Sequence, residues 1–201
     1  LVQGQVGASG SAVAPHAGKG EPMGIITARA VVIGVMGGIA TSIWLEVGSI
    51  YWVIWVTFIG WASFYAAGGG TEGITKSVAA NVWGVVVAAV SLFAFTKLAP
   101  NMNVSLAAGL CVGVAIIILI LAAYLPPLGF IPGQVFGYAP TAGLFLTNVS
   151  VAVVAADGTV TAADPAYSSV WVVMIAAIIS LIIGNVLGII SEKIGGAVAK
   201  S

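Results

Sequence analysis

Six apolar stretches, joined by short links, leave this chain few ways to fold. They cover about 26–45, 50–68, 74–98, 103–125, 129–147 and 168–191. A helix that crosses the hydrocarbon core of a bilayer needs about 20 mostly apolar residues, and each stretch meets or nearly meets that length. Charges do not interrupt them: most of the six Lys and Arg and six Asp and Glu lie near the ends of the runs. Hydrocarbon imposes that placement, because an ionised side chain at mid-membrane is costly. Only 6% of the residues are charged, against about 25% in an ordinary water-soluble domain. Lipid is therefore the expected solvent. The fold class this predicts is all-α: a polytopic membrane protein with six transmembrane helices.

The same composition excludes several functions. The formal net charge is zero, so no basic face invites nucleic acid. Cys111 is the single cysteine and His16 the single histidine. No disulfide framework or zinc spacing exists, and no metal or cofactor is expected. Cys111 reads as a small packing residue. No Asp, Glu, Lys, Arg or His falls near the centre of a stretch, which argues against a proton- or ion-driven pump. There is no phosphate loop and no nucleophile beside a base, so the chain does not read as an enzyme.

The links set the organisation. Residues 1–24, rich in Gly, Ala, Ser and Pro, read as a flexible tail, with Met23 as a candidate native start. They lack the basic start and continuous apolar core of a signal peptide. Residues 25–196 form the membrane domain, and 197–201 a C-terminal tail. Pro100 and the pair Pro126-Pro127 stop the third and fourth helices. The fifth stretch is interrupted by Pro132, Gly133, Gly137 and Pro140. Within 148–167, valines alternate with small or polar residues on both sides of Asp157-Gly158. That pattern predicts a short external β-hairpin. With six spans, Lys19, Arg29, Lys76, Lys193 and Lys200 share one side and Lys97 lies alone on the other. The lysine and arginine bias then puts both termini in the cytoplasm.

A repeat is visible in the small and polar residues. Gly34 and Gly38 match Gly109 and Gly113. Gly60-Trp61-Ala62 matches Gly137-Tyr138-Ala139, and Asn81-Val82-Trp83-Gly84 matches Asn185-Val186-Leu187-Gly188. The offsets are 75, 77 and 104 residues, and the jump falls at the hairpin. Three spans per half predict two inverted repeats, an arrangement that places pathways where the halves meet near the midplane. On this reading Asn81, Asn185, Gly60, Gly137, Gln134 and Thr141 are candidate pathway residues. The bland alternative for each asparagine is a structural hydrogen bond between helices. Gly68 to Gly70 read either as a helix end lining a pathway or as a plain turn. Glu72 and Lys76, four apart, read as an ion pair at a helix start. Gly34, Gly38, Gly109 and Gly113 read as helix-packing positions, because small residues four apart let backbones approach in lipid.

The run Phe58-Ile-Gly-Trp-Ala-Ser-Phe-Tyr-Ala-Ala-Gly-Gly, then Lys76, Asn81 and Gly84, resembles the YcdZ-like bacterial inner-membrane proteins, domain-of-unknown-function family 1097. Phe130-Ile-Pro-Gly with Phe136-Gly-Tyr-Ala resembles that family's fifth helix. The resemblance covers roughly residues 24–195. It implies a six-helix protein of the bacterial inner membrane and little about chemistry. The tail and the hairpin depart from it and are candidate contacts for a protein partner.

Taken together, these features predict a passive channel or facilitator for a small neutral or weakly charged solute. The rival expectation is a non-transporting structural or accessory subunit of a membrane complex. Both readings include a homo-oligomer in the bilayer.

Overall fold

Glycine cuts the second apolar stretch shorter than its hydropathy predicts. In the computed structural model of the protein, residues 24–146 and 165–199 are described. They form six α-helices: α1 (Ile25–Val47), α2 (Ile54–Ala66), α3 (Gly70–Leu98), α4 (Val104–Leu121), α5 (Ile131–Leu146) and α6 (Val170–Val198). Gly48 ends α1 in the left-handed conformation, at φ +56°, and its N–H returns to the Trp44 carbonyl. Such a stop suits glycine because a Cβ is disfavoured there. The chain stays non-helical to Val53, so α2 has only 13 residues. Gly68, Gly69 and Gly70 all take positive φ and turn the chain into α3. Pro100 lies in a 3-10 turn that ends α3. Asn103 then caps α4 by accepting the Leu106 N–H at 3.2 Å, as an N-cap side chain should.

Four of the six helices, α1, α3, α4 and α6, are long and apolar enough to cross a membrane. The other two are not. At 1.5 Å per residue, the 13 residues of α2 reach about 20 Å and the 16 of α5 about 24 Å, short of a hydrocarbon core of about 30 Å. The expectation of six spans arranged as two inverted three-helix repeats is corrected accordingly: four helices have spanning length, and two short helices pack between them. The expected β-hairpin is also withdrawn. Most of it, 148–164, lies outside the described residues, as do residues 1–23. Pro165–Ser168 form a 3-10 turn, and no strand occurs among the described residues. Nor do the prolines break α5. Pro132 sits in its first turn, where no N–H is required, and Pro140 is carried inside the helix, which continues to Leu146.

The two 29-residue helices α3 and α6 touch at the centre. α2 lies along α6 and α5 along α3, while α1 and α4 pack at the periphery on α6 and α3 respectively. Glycine makes the two inner contacts possible. A Cβ on Gly184 would overlap the Thr57 carbonyl oxygen, and one on Gly60 would overlap that of Leu181. On the other side, a Cβ on Gly84 would overlap the Gln134 carbonyl oxygen, and one on Gly137 that of Asn81. Gly84 and Gly184 are the midpoints of their helices, so the backbones meet halfway along.

By contrast, Gly34, Gly38, Gly109 and Gly113 have nothing within 4 Å of an added Cβ, and all four are exposed. They do not pack helices within this chain. An apolar core of Val53, Val56, Val85, Leu144, Val173 and Leu181 fills the space between α2, α3, α5 and α6.

Candidate functional site

The short helix α2 begins beside the interior of α6, and its polar groups there are met by side chains. The Val53 N–H donates to Ser180 Oγ at 2.8 Å, about 15 Å along α6 from its start. Trp44 Nε1 donates to the Trp52 carbonyl at 2.6 Å, and the Tyr167 hydroxyl to the Ile50 carbonyl at 2.5 Å. Non-helical backbone at membrane depth persists only where protein or water satisfies it. Tyr167, which by position reads as an interfacial aromatic, is instead fully buried.

At the centre, α2, α3, α5 and α6 enclose an uncharged polar cluster built around Asn81. Its amide nitrogen donates to Ser63 Oγ at 3.0 Å and to the Gly133 carbonyl at 2.9 Å. Its oxygen accepts from Asn185 Nδ2 at 3.0 Å. The Ser77 hydroxyl lies 2.7 Å from Ser63 Oγ and 3.2 Å from Asn81 Oδ1. All four side chains are buried. Because the Gly133 carbonyl can only accept, the Asn81 amide has one sensible orientation. Asn185 is fixed in the same way, since its nitrogen also donates to the Leu181 carbonyl at 2.9 Å. Gln134 Nε2 donates to the Leu128 carbonyl at 2.6 Å, which fixes Gln134 too.

These orientations leave two acceptors over. Asn185 Oδ1 and Gln134 Oε1 are buried and have no hydrogen-bond partner among the described residues. Most buried polar atoms in proteins are paired, so an unpaired Asn185 oxygen within this cluster is informative.

Of the sequence-derived candidates, Asn81 and Asn185 are brought into direct contact, and Gln134 follows the carbonyl that Asn81 holds. Gly60 and Gly137 lie at the helix crossings. Thr141 stands apart, donating to the Gly137 carbonyl of its own helix at 2.8 Å. Glu72 and Lys76 form their ion pair at 2.5 Å on an exposed face, where such pairs contribute little. Among the described residues, no group of three His, Cys, Asp or Glu could hold a metal ion. Two grooves on the surface of the described residues are apolar. One, of about 450 Å³, lies between α3 and α4 beside Trp83, Val90, Cys111 and Ile118. The other, of about 220 Å³, lies beside Met36, Trp52 and Leu187.

A second cluster, at one end of the bundle, escapes sequence reasoning. Glu192 Oε2 accepts the Gly70 N–H at 2.8 Å, capping α3 from a different helix. Its other oxygen is 3.7 Å from Arg29 Nη2, and the Arg29 guanidinium sits 5.7 Å from the Tyr65 ring centroid. A carboxylate suits the positive amino end of a helix. Ser191, next in sequence, accepts from Trp61 Nε1 at 2.9 Å and lies 2.9 Å from the Tyr65 hydroxyl. The Gly68 to Gly70 turn is thus closed by Glu192. Because the Arg29 pair is half-exposed, its screened share is small, and the charged cap dominates. Glu192→Leu is expected to cost about 2 kcal/mol, and Glu192→Gln about half of that. Thermal unfolding in detergent reads both, and equal losses would contradict a role for the charge.

Four apolar helices of spanning length, two of which, α3 and α6, flank a buried uncharged polar cluster, mark a membrane protein. The chain belongs to the family described as "Protein of unknown function (DUF1097)", which it matches over residues 30–196. No curated protein and no solved structure matches it.

Proposed function

We propose that the protein is a passive facilitator for a small neutral or weakly charged solute in the bacterial inner membrane. The observation that carries this reading is the buried polar centre between α2, α3, α5 and α6, which holds the unpaired Asn185 oxygen. A bundle that only had to be stable in lipid gains nothing from burying acceptors it leaves unmet. The centre also lacks charge, which suits a neutral solute and avoids the cost of a mid-membrane ion. In this structure the asparagines bond to each other, so they stand as a closed constriction that a solute must part. Arg29 near the start of α1 lies against Gly195 near the end of α6, at one end of the bundle. With Lys76 and Lys193 towards the same end, the basic-residue rule supports cytoplasmic termini.

Proteoliposomes test the reading with a panel of small amides, amines, carboxylic acids and glycerol. Enhanced flux of one or more neutral solutes over empty vesicles is expected. A folded, incorporated protein that speeds none of them overturns the proposal.

One observation favours a second reading, a non-transporting subunit that assembles with copies of itself. Gly34 and Gly38 on α1, and Gly109 and Gly113 on α4, present small residues four apart to the outside. Such faces suit close helix contacts between chains. Gly34→Leu and Gly113→Leu meet open space within the chain, and leucine favours helix over glycine by about 0.8 kcal/mol. Neither change should lower the unfolding temperature. Both should shift the protein from oligomer to monomer in mild detergent. An unchanged mass distribution counts against assembly through these faces.

A further inference from the structure

The larger apolar groove has a defined length and width and a charge at one end. It runs along α3 from Trp83 to Leu98, and α4 walls it from Leu110 to Ile118. At 1.5 Å per residue, that stretch of α3 is about 22 Å long. A volume of about 450 Å³ spread over this length gives a trough about 5 Å across, the width of one hydrocarbon chain and half the diameter of an α-helix. Its polar groups are already held. The Ser91 hydroxyl donates to the Cys111 carbonyl at 3.1 Å and lies 3.3 Å from the Tyr138 hydroxyl. Trp83 Nε1 donates to the Leu119 carbonyl at 3.4 Å. An occupant needs only apolar surface.

Lys97 stands at the head of this groove. Trp83, Val90 and Lys97 are spaced close to two helical turns apart, so they fall on one line along α3. The first two line the groove, and Lys97 continues the line beside Leu98. It is exposed near the end of its helix, where a lysine reaches the headgroup region of a bilayer. Its ammonium sits 5.3 Å from the Phe93 ring centroid and has no carboxylate partner among the described residues. Glu72 pairs with Lys76 and Glu192 with Arg29, both at the opposite end of α3, where Glu192 caps Gly70. Glu46 is near the end of α1, which packs on α6 rather than on α3.

We infer that this groove holds one acyl chain of an anionic phospholipid, with the phosphate-bearing headgroup at Lys97. Val90, Val114 and Ile117 are exposed along the same side of α3 and α4, and in a bilayer that side meets hydrocarbon. Apolar space does not hold water, and acyl chains are the molecules around it. One leaflet supplies about 15 Å of hydrocarbon depth, so a chain entering beside Lys97 fits within the groove. A helix of a second copy is too wide to enter. The unpaired ammonium selects the headgroup: it attracts a net negative one more strongly than a zwitterion.

Native mass spectrometry of the full chain in mild detergent tests this, with phosphatidylglycerol and phosphatidylcholine of identical acyl chains as the probes. One bound phosphatidylglycerol is expected, held about fivefold more tightly than phosphatidylcholine. Lys97→Gln should bring that ratio to about one. Ala94→Phe puts a ring into the groove from a half-buried position and should weaken both lipids at least fivefold. Val35→Phe, on an exposed face of α1, should change neither. A second readout needs no variant. Phosphatidylglycerol with a photoreactive group at its chain end should label 83–90 and 114–119 at least fivefold more than 25–47. Even labelling of these segments would show lipid surrounding the protein without a site, and would overturn the proposal. Equal retention of the two lipids would overturn the headgroup assignment. A dimer that retains neither lipid would put a second copy over the groove and overturn the proposal as well.

Discussion

Gly184→Ala is expected to cost about 3 kcal/mol, at the upper end for overpacking a filled interior. The added methyl group would overlap the Thr57 carbonyl oxygen and crowd the Trp61 nitrogen and the Gly60 carbonyl carbon. All three are backbone atoms, so no side-chain rotation relieves the contact. α2 cannot simply slide, because Ser180 holds its first N–H and Ser191 holds Trp61 and Tyr65 near its end. Alanine is the better helix former by about 1 kcal/mol, and the net loss stands against that gain. Gly38→Ala is the control. Nothing lies within 4 Å of its added Cβ, so the propensity gain should appear undiminished. Unfolding temperatures of the two variants in the same detergent are expected to move in opposite directions. If both rise, the α2–α6 contact is looser than described.

That contrast also shows what sequence could and could not reveal. Gly34 and Gly60 are the same residue in equally apolar surroundings, and glycine spacing ranks them alike. What separates them is the helix facing each one, which depends on tertiary placement. The shortness of α2 was hidden for a related reason. Residues 50–53 are as apolar as a helix, and hydropathy does not distinguish an extended apolar segment from a helical one. The left-handed stop at Gly48 was the local sign. The asparagines were legible because amides are scarce in these helices and costly to bury unpaired. Ser77, one turn before Asn81, was the available clue to the rest of the cluster. Glu192 carried no such sign. Its partner is the backbone N–H of Gly70, 122 residues away, and no residue type encodes a backbone donor. At the end of an apolar run, a glutamate reads as an ordinary interfacial charge.

Replacing Asn81 is expected to do more damage than replacing Asn185, although the two occupy matching positions in sequence. Asn81 bonds to three other helices, through Ser63 on α2, Gly133 on α5 and Asn185 on α6. Asn185 makes one interhelical bond, and its other goes to Leu181 of its own helix. Interhelical hydrogen bonds in lipid contribute about 0.6–2 kcal/mol each. Asn81→Leu should therefore cost about 3 kcal/mol and Asn185→Leu about 1 kcal/mol. Asn185→Leu also removes one of the two unmet oxygens, which offsets part of its loss. A double-mutant cycle should return a coupling of about 1 kcal/mol, the size of the single bond they share. Equal losses from the two single changes would refute the view that Asn81 is the hub. The asymmetry bears on function as well. If the helices part to admit a solute, Asn81 keeps its bonds to Ser63 and Gly133 when the Asn185 bond opens. The yielding contact is then the one between the midpoints of α3 and α6.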